Sequence, residues 1–143
     1  MKAVIQRVKN ARLSVEGKLI SEIGQGLVVY LGVGKGDEYK EIEILSKKIA
    51  NMRIFEDENG KMNLSVKDIL GEILLVSQFT LYANTSHGNR PSFFDAESPE
   101  RANLMYEQFA LALSEYSIPV KKGVFGADMQ IEQLNDGSVT IIL

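Results

Sequence analysis

The sequence predicts an α/β fold, a single compact β-rich domain of mixed or antiparallel sheets with two covering helices. Three observations predict it. Short alternating or β-branched runs outnumber helical ones along the 143 residues. The run "LVVYLGV" at 27–33 is apolar on both faces, as a central strand is. Two segments repeat apolar residues at three and four positions, and each is long enough to cover a sheet face.

Taken in order, residues 2–8 and 11–16 read as strands separated by Lys9-Asn10, and Glu16-Gly17 makes a tight turn into 18–23. Gly24 and Gly26 punctuate the approach to the central strand. Asp37 is the expected N-cap of the first helix, whose inner face is Ile42, Leu45, Ile49 and Met52. Residues 52–66 read as two short strands around Asn59-Gly60, a strong hairpin signal. A strand at 72–82 and a loop at 83–97 follow. Ser98 caps the second helix and Pro99 occupies its first turn. Ala102, Met105, Tyr106, Phe109 and Leu113 form the apolar face of that helix. The chain ends in an expected hairpin, with arms 127–134 and 138–143 joined by Asn135-Asp136-Gly137.

Composition narrows the function. Hydrophobic residues make up 45% and charged residues 24%, as in a soluble globular protein. No apolar run approaches the ~18 residues of a membrane span, and the N-terminus lacks the apolar middle of a signal peptide. With no cysteine, disulfides, thiolate nucleophiles and cysteine metal sites are excluded, and a cytoplasmic location is expected. The single histidine, His87, rules out a two-histidine zinc site within the chain. Nothing demands a metal or cofactor. The net charge of −3 argues against a broad nucleic-acid-coating face and against DNA as partner, yet allows a local grip on a few phosphates.

Most candidate chemistry has a plain structural reading. His87 lies in a loop of turn formers, with no triad spacing around it. Gly32-Val33-Gly34-Lys35-Gly36 lacks phosphate-loop spacing and reads as a strand-to-helix connection. Glu41, Glu43 and Glu56-Asp57-Glu58 read as solvated faces, as does Lys121-Lys122. The stretch "LLVSQFTLYAN" at 74–84 is different. It sets Ser77, Gln78 and Thr80 inside an apolar run, and burying such groups without partners costs about 1–3 kcal/mol each. They read either as a polar strand face or as a sheet end offering hydroxyl and backbone N–H donors to a reacting carbonyl.

"SQFTL" at 77–81 resembles a signature of the D-aminoacyl-tRNA deacylases, and the resemblance covers essentially the whole chain. It includes "VIQRV" at 4–8, "GLVVYLGV" at 26–33, "RIFEDENGKMNLSV" at 53–66, "GNRPSF" at 88–93, "SPERA" at 98–102, "GVFGADMQ" at 123–130 and "NDGSVT" at 135–140. The resemblance implies hydrolysis of the ester joining a D-amino acid to the tRNA 3′-terminal adenosine, with mischarged glycyl-tRNA as a further substrate. It implies a homodimer with active sites at the subunit interface and the aminoacyl-tRNA 3′ end as partner. Carried over, Ser77 with the backbone N–H groups near Gln78 and Phe79 would hold the ester carbonyl. Thr80 would be either a nucleophile or a bystander to the tRNA 2′-hydroxyl. Phe125 would pack on the terminal adenine and Met129 would wall the pocket. Arg90, in "GNRPSF", gains a local structural or substrate role.

One departure matters. The family pattern is Asn-x-Gly-Pro-x-Thr, but the proline position here is Ser138. In the family the Gly-Pro bond is cis, enters the partner's active site and reads the substrate's chiral centre. The resemblance therefore assigns Gly137 and Ser138 to substrate binding and Arg7 to holding their conformation. A cis bond costs about 2.5–4 kcal/mol before serine, against about 0.5–1 before proline. With Arg7 and the flanking residues retained, the bond is expected to stay cis. The alternatives are a deacylase with relaxed chirality, or a weakly active relative that binds the tRNA acceptor end.

Overall fold

The computed structural model describes all 143 residues, Met1–Leu143. Strand β1 (Lys2–Val15) is followed by β2 (Lys18–Ile23) and β3 (Gly26–Gly32). Helix α1 (Tyr39–Asn51) leads to the short strands β4 (Phe55–Glu56) and β5 (Met62–Leu64), then to β6 (Glu72–Ser77). Helix α2 (Pro99–Ser114) precedes β7 (Val120–Lys122) and β8 (Met129–Ile142).

The main sheet has six strands and is mixed. β2 and β3 run antiparallel to β1, pairing with its C-terminal and N-terminal halves respectively. β3 and β6 are parallel, and β7 adds parallel to β6. β4 and β5 form the small hairpin expected around Asn59-Gly60. The α/β class with two helices stands as the sequence predicts, and no helix is long and apolar enough to cross a membrane.

Three expectations are corrected. The N-terminal strands are one strand, because Lys9-Asn10 is absorbed by pairing shifts against β8 instead of breaking the chain. The C-terminal hairpin does not form. Residues 129–142 are a single strand that pairs with β1 through 129–135 and again through 140–142, so Asn135-Asp136-Gly137 leads into an unpaired bulge at 136–139 and does not reverse the chain. Asp37 does not cap α1. Glu38 does, with its N–H donating to Glu41 Oε2 at 2.7 Å, while the Asp37 carboxylate accepts from Gly34 N–H at 2.7 Å.

Alternation along the central strands gives the sheet two apolar faces. Leu27, Val29, Leu31, Ile73 and Leu75 face the larger core with Ile42 and Ile49 of α1 and Met105, Phe109 and Leu113 of α2. Val28, Leu74 and Val76 point the other way, into a smaller core with Val8, Ala11, Leu13 and Ile23. Close packing needs a glycine at the start of β3. A Cβ on Gly26 would lie 1.9 Å from the Glu72 carbonyl oxygen. The parallel pair β3–β6 thus ends at Leu31 and Ser77 with a core on either side, and open α/β sheets bind ligands at such carboxyl ends.

Candidate active site

β6 stops at Ser77, which explains the polar residues after it. The sequence predicts a strand to residue 82, but Phe79–Tyr82 is a turn of 3₁₀ helix. Gln78 ends the ladder, its N–H donating to the Leu31 carbonyl at 2.8 Å. Leu81 N–H then donates back to the Gln78 carbonyl at 3.3 Å. The packing of Tyr82 against Gly34 leaves no room for a larger residue, since a Cβ there would sit 2.6 Å from the ring.

This turn opens onto a cavity of about 570 Å³. Ser77, Gln78 and Phe79 line one wall and Phe125, Asp128 and Met129 another. Val33, Phe93, Ala96 and Glu97 complete the rim near the start of α2. Phe93 meets Phe79 edge-on, with ring centroids 5.0 Å apart. Phe125 leans on Tyr106 at 6.1 Å, and the Tyr106 hydroxyl donates to the Leu75 carbonyl at 2.6 Å, deep in the core. Burial raises the Tyr106 pKa, so the hydroxyl stays a neutral donor. Met129 is set by a close approach, since a Cβ on Gly123 would lie 2.6 Å from its sulfur.

The donor inventory corrects one assignment. The Gln78 N–H is committed to Leu31, so it cannot serve an oxyanion. Neither the Phe79 nor the Thr80 N–H is committed in this way, and of the two residues only Phe79 lies on the cavity wall. The Ser77 hydroxyl, half-buried on the cavity wall, also has no partner. Thr80 is exposed, is not on the cavity wall, and its hydroxyl is held by the Gln78 side-chain amide at 2.5 Å. That geometry does not suit a nucleophile.

Two carboxylates line the cavity, Glu97 and the exposed Asp128, and the one histidine does not. His87 is exposed and contacts only Ser86, at 2.7 Å. The Glu97 carboxylate accepts from Ser98 N–H at 2.8 Å and Arg101 at 2.7 Å. First the Ser98 N–H and then Arg101 hold its pKa below the usual carboxylate range, which makes it a weak proton acceptor. No cluster of three or more metal-ligating side chains is present.

Ser77, Gln78, Phe79, Phe125 and Met129 therefore meet in one cavity. Arg7, Gly137 and Ser138 do not line it. Arg7 is buried between β4 and the irregular part of β8, donating to the Ile54 carbonyl at 2.7 Å and the Asp136 carbonyl at 3.0 Å. Gly137 has φ +129°, and a Cβ on it would lie 2.9 Å from the Arg7 guanidinium. The Gly137–Ser138 peptide is cis, as expected. Both residues are exposed. Lys121 donates to the Glu22 backbone carbonyl and pairs with the Glu72 carboxylate, and Lys122 pairs with Glu107, in keeping with ordinary surface charge, while Arg90 is exposed in its loop. Glu97 lies in no motif and was not legible as a cavity residue, whereas Phe93 lies within "GNRPSF" and Asp128 within "GVFGADMQ".

A free N–H donor at Phe79 beside an unpaired hydroxyl, under an aromatic and thioether wall, makes a site suited to cleaving an ester by positioning. Comparison with known proteins gives the family. Residues 4–143 match the D-Tyr-tRNA(Tyr) deacylase family, and the chain belongs to it. It is 54% identical to the D-aminoacyl-tRNA deacylase of Thermosipho africanus, covering 100% of this chain and 96% of that one. Against the enzyme of the same name from Dictyoglomus turgidum it is again 54% identical, covering 100% and 92%. Among solved structures, one titled c-Myc DNA Unwinding Element Binding Protein matches with TM-score 0.93 and 46% identity, over 100% of this chain and 97% of that one. A probable eukaryotic D-amino acid tRNA deacylase shares the fold, with TM-score 0.84 at 15% identity, over 99% and 97%.

Proposed function

We propose that the protein is a D-aminoacyl-tRNA deacylase whose reaction takes place in the cavity at the end of β6. Family and relatives support the activity, hydrolysis of the ester between a D-amino acid and the tRNA 3′ end. The observation that carries the placement is the unpaired Phe79 N–H beside the free Ser77 hydroxyl, both residues lying on the cavity wall. These donors hold the ester carbonyl and the negative charge that develops on it. Phe125 and Met129 wall the cavity against the terminal adenosine. The attack on the ester is assisted by the substrate's own 2′-hydroxyl, and the protein contributes position and field.

The chain acts as one domain and as a homodimer in the cytoplasm. Gly137 and Ser138 are exposed and outside their own chain's cavity, which fits a role completing the partner's site. There they face the substrate's chiral centre and leave no room for an L side chain. The test is single-turnover hydrolysis of D-tyrosyl-tRNA by three proteins. Ser77→Ala should slow cleavage about 10²–10³-fold, the usual effect of deleting one oxyanion donor. Thr80→Ala keeps its N–H and should stay within about threefold of the parent protein. The reverse order of effects would make Thr80 the nucleophile and contradict the placement.

A further inference from the structure

Phe94 is the most exposed aromatic ring of the chain, at 76%. Its neighbour Phe93 turns inward to the cavity, so Phe94 points outward at the rim. The ammonium of Lys35 sits over its ring, 3.4 Å from the centroid. Lys35 has no carboxylate partner, whereas Asp37 and Glu97 nearby are occupied by the N-terminal ammonium and Arg101.

The pair is also held firmly against the site. Lys35 N–H donates to the Asp95 carbonyl at 2.9 Å, Gly34 bridges Ala96, and Glu97 N–H donates to the Val33 carbonyl at 2.9 Å. Val33, Ala96 and Glu97 are themselves cavity wall. Two residues of extended chain, about 7 Å, separate Lys35 from Val33.

We infer that Lys35 and Phe94 form a second subsite that receives the unpaired nucleotides preceding the terminal adenosine of the tRNA. A base stacks on Phe94 and a phosphate pairs with Lys35. An exposed aromatic beside an unpaired cation is the usual equipment for single-stranded nucleic acid, tolerant of sequence because every base has a flat face. The inference rests on the cavity being the site of ester cleavage. It also gives an acidic chain its local grip on a polyanion, where no broad basic face exists.

The experiment compares full-length D-tyrosyl-tRNA with the minimal ester 3′-O-D-tyrosyl-adenosine, using the parent protein, Phe94→Ala, Phe94→Trp and Lys35→Ala. Phe94→Ala should raise KM for the tRNA at least about fivefold at unchanged kcat, and leave the minimal ester untouched. Phe94→Trp should restore KM. Lys35→Ala should also raise KM for the tRNA and make log KM less steep in log salt, by about 0.7. Equal effects on both substrates, or no effect on either, would overturn the subsite. So would a change of oligomeric mass in Phe94→Ala, which would make the ring a contact between copies. A parent protein inactive on both substrates would instead overturn the cavity reading itself.

Discussion

Replacing Arg7 by methionine keeps an aliphatic stem and deletes the guanidinium. Arg7 is 5% exposed and donates to the carbonyls of Ile54 and Asp136 at 2.7 and 3.0 Å. Hydrogen bonds from a charged group contribute about 1.5–3 kcal/mol each, and the buried Ile54 carbonyl left without a donor adds to the cost. The Asp136 carboxylate lies 3.6 Å from Nε but is 30% exposed, so its attraction is largely screened and adds little. Methionine recovers about 1 kcal/mol through apolar burial. The net loss is about 3–4 kcal/mol, a large share of a total of about 5–15 kcal/mol. At this chain length it lowers Tm by about 10 °C. Urea unfolding at fixed protomer concentration measures it, as a fall in midpoint at constant m-value. The same change frees residues 136–138, so discrimination against L-esters should weaken in parallel. A loss under about 1 kcal/mol, or the expected loss of about 3–4 kcal/mol with discrimination intact, would refute the assignment of Arg7 as the anchor of this segment.

Three further outcomes are expected. Tyr106→Phe deletes the hydroxyl that donates to Leu75, but that carbonyl also accepts from Gly123 N–H at 3.2 Å, so urea unfolding should show a loss of only about 1 kcal/mol. Glu97 has a lowered folded pKa, so its contribution to stability is complete above its unfolded value of about 4.3 and fades as pH falls through the folded one. The Tm gap between parent and Glu97→Gln should therefore close on acidification from about pH 5 to about pH 3, and a constant gap would contradict this sign. Finally, Ser77→Ala protomers co-assembled with Gly137→Val protomers should regain about a quarter of parent activity, from mixed dimers with one intact site. Activity no higher than either parent variant would count against a site completed by the partner.

Local pattern made most of the fold legible. Helix faces, the two-sided central strand and the Asn59-Gly60 hairpin depend on neighbours within a few residues. What misled was turn chemistry overridden by long-range pairing. Asn135-Asp136-Gly137 favours a reversal, but β1 offers β8 a ladder of backbone bonds on both sides of residues 136–139, and the chain runs on. Lys9-Asn10 is carried through in the same way. Of the site, residues 77–79, 125 and 129 were legible through motifs. The commitment of the Gln78 N–H to Leu31 was not, because it depends on the parallel pairing of two strands far apart in sequence. Thr80 shares the motif, but its side chain is held by Gln78 and the residue lies off the cavity wall.

The central claim is that this cavity cleaves D-aminoacyl esters and refuses L-aminoacyl ones, although serine stands at position 138. Single-turnover hydrolysis of matched D-tyrosyl-tRNA and L-tyrosyl-tRNA by the purified protein tests it most directly. The account predicts rapid loss of the D-ester while the L-ester persists at its spontaneous rate. Comparable loss of both would mean that Gly137 and Ser138 do not read the chiral centre, and persistence of both would contradict the activity itself.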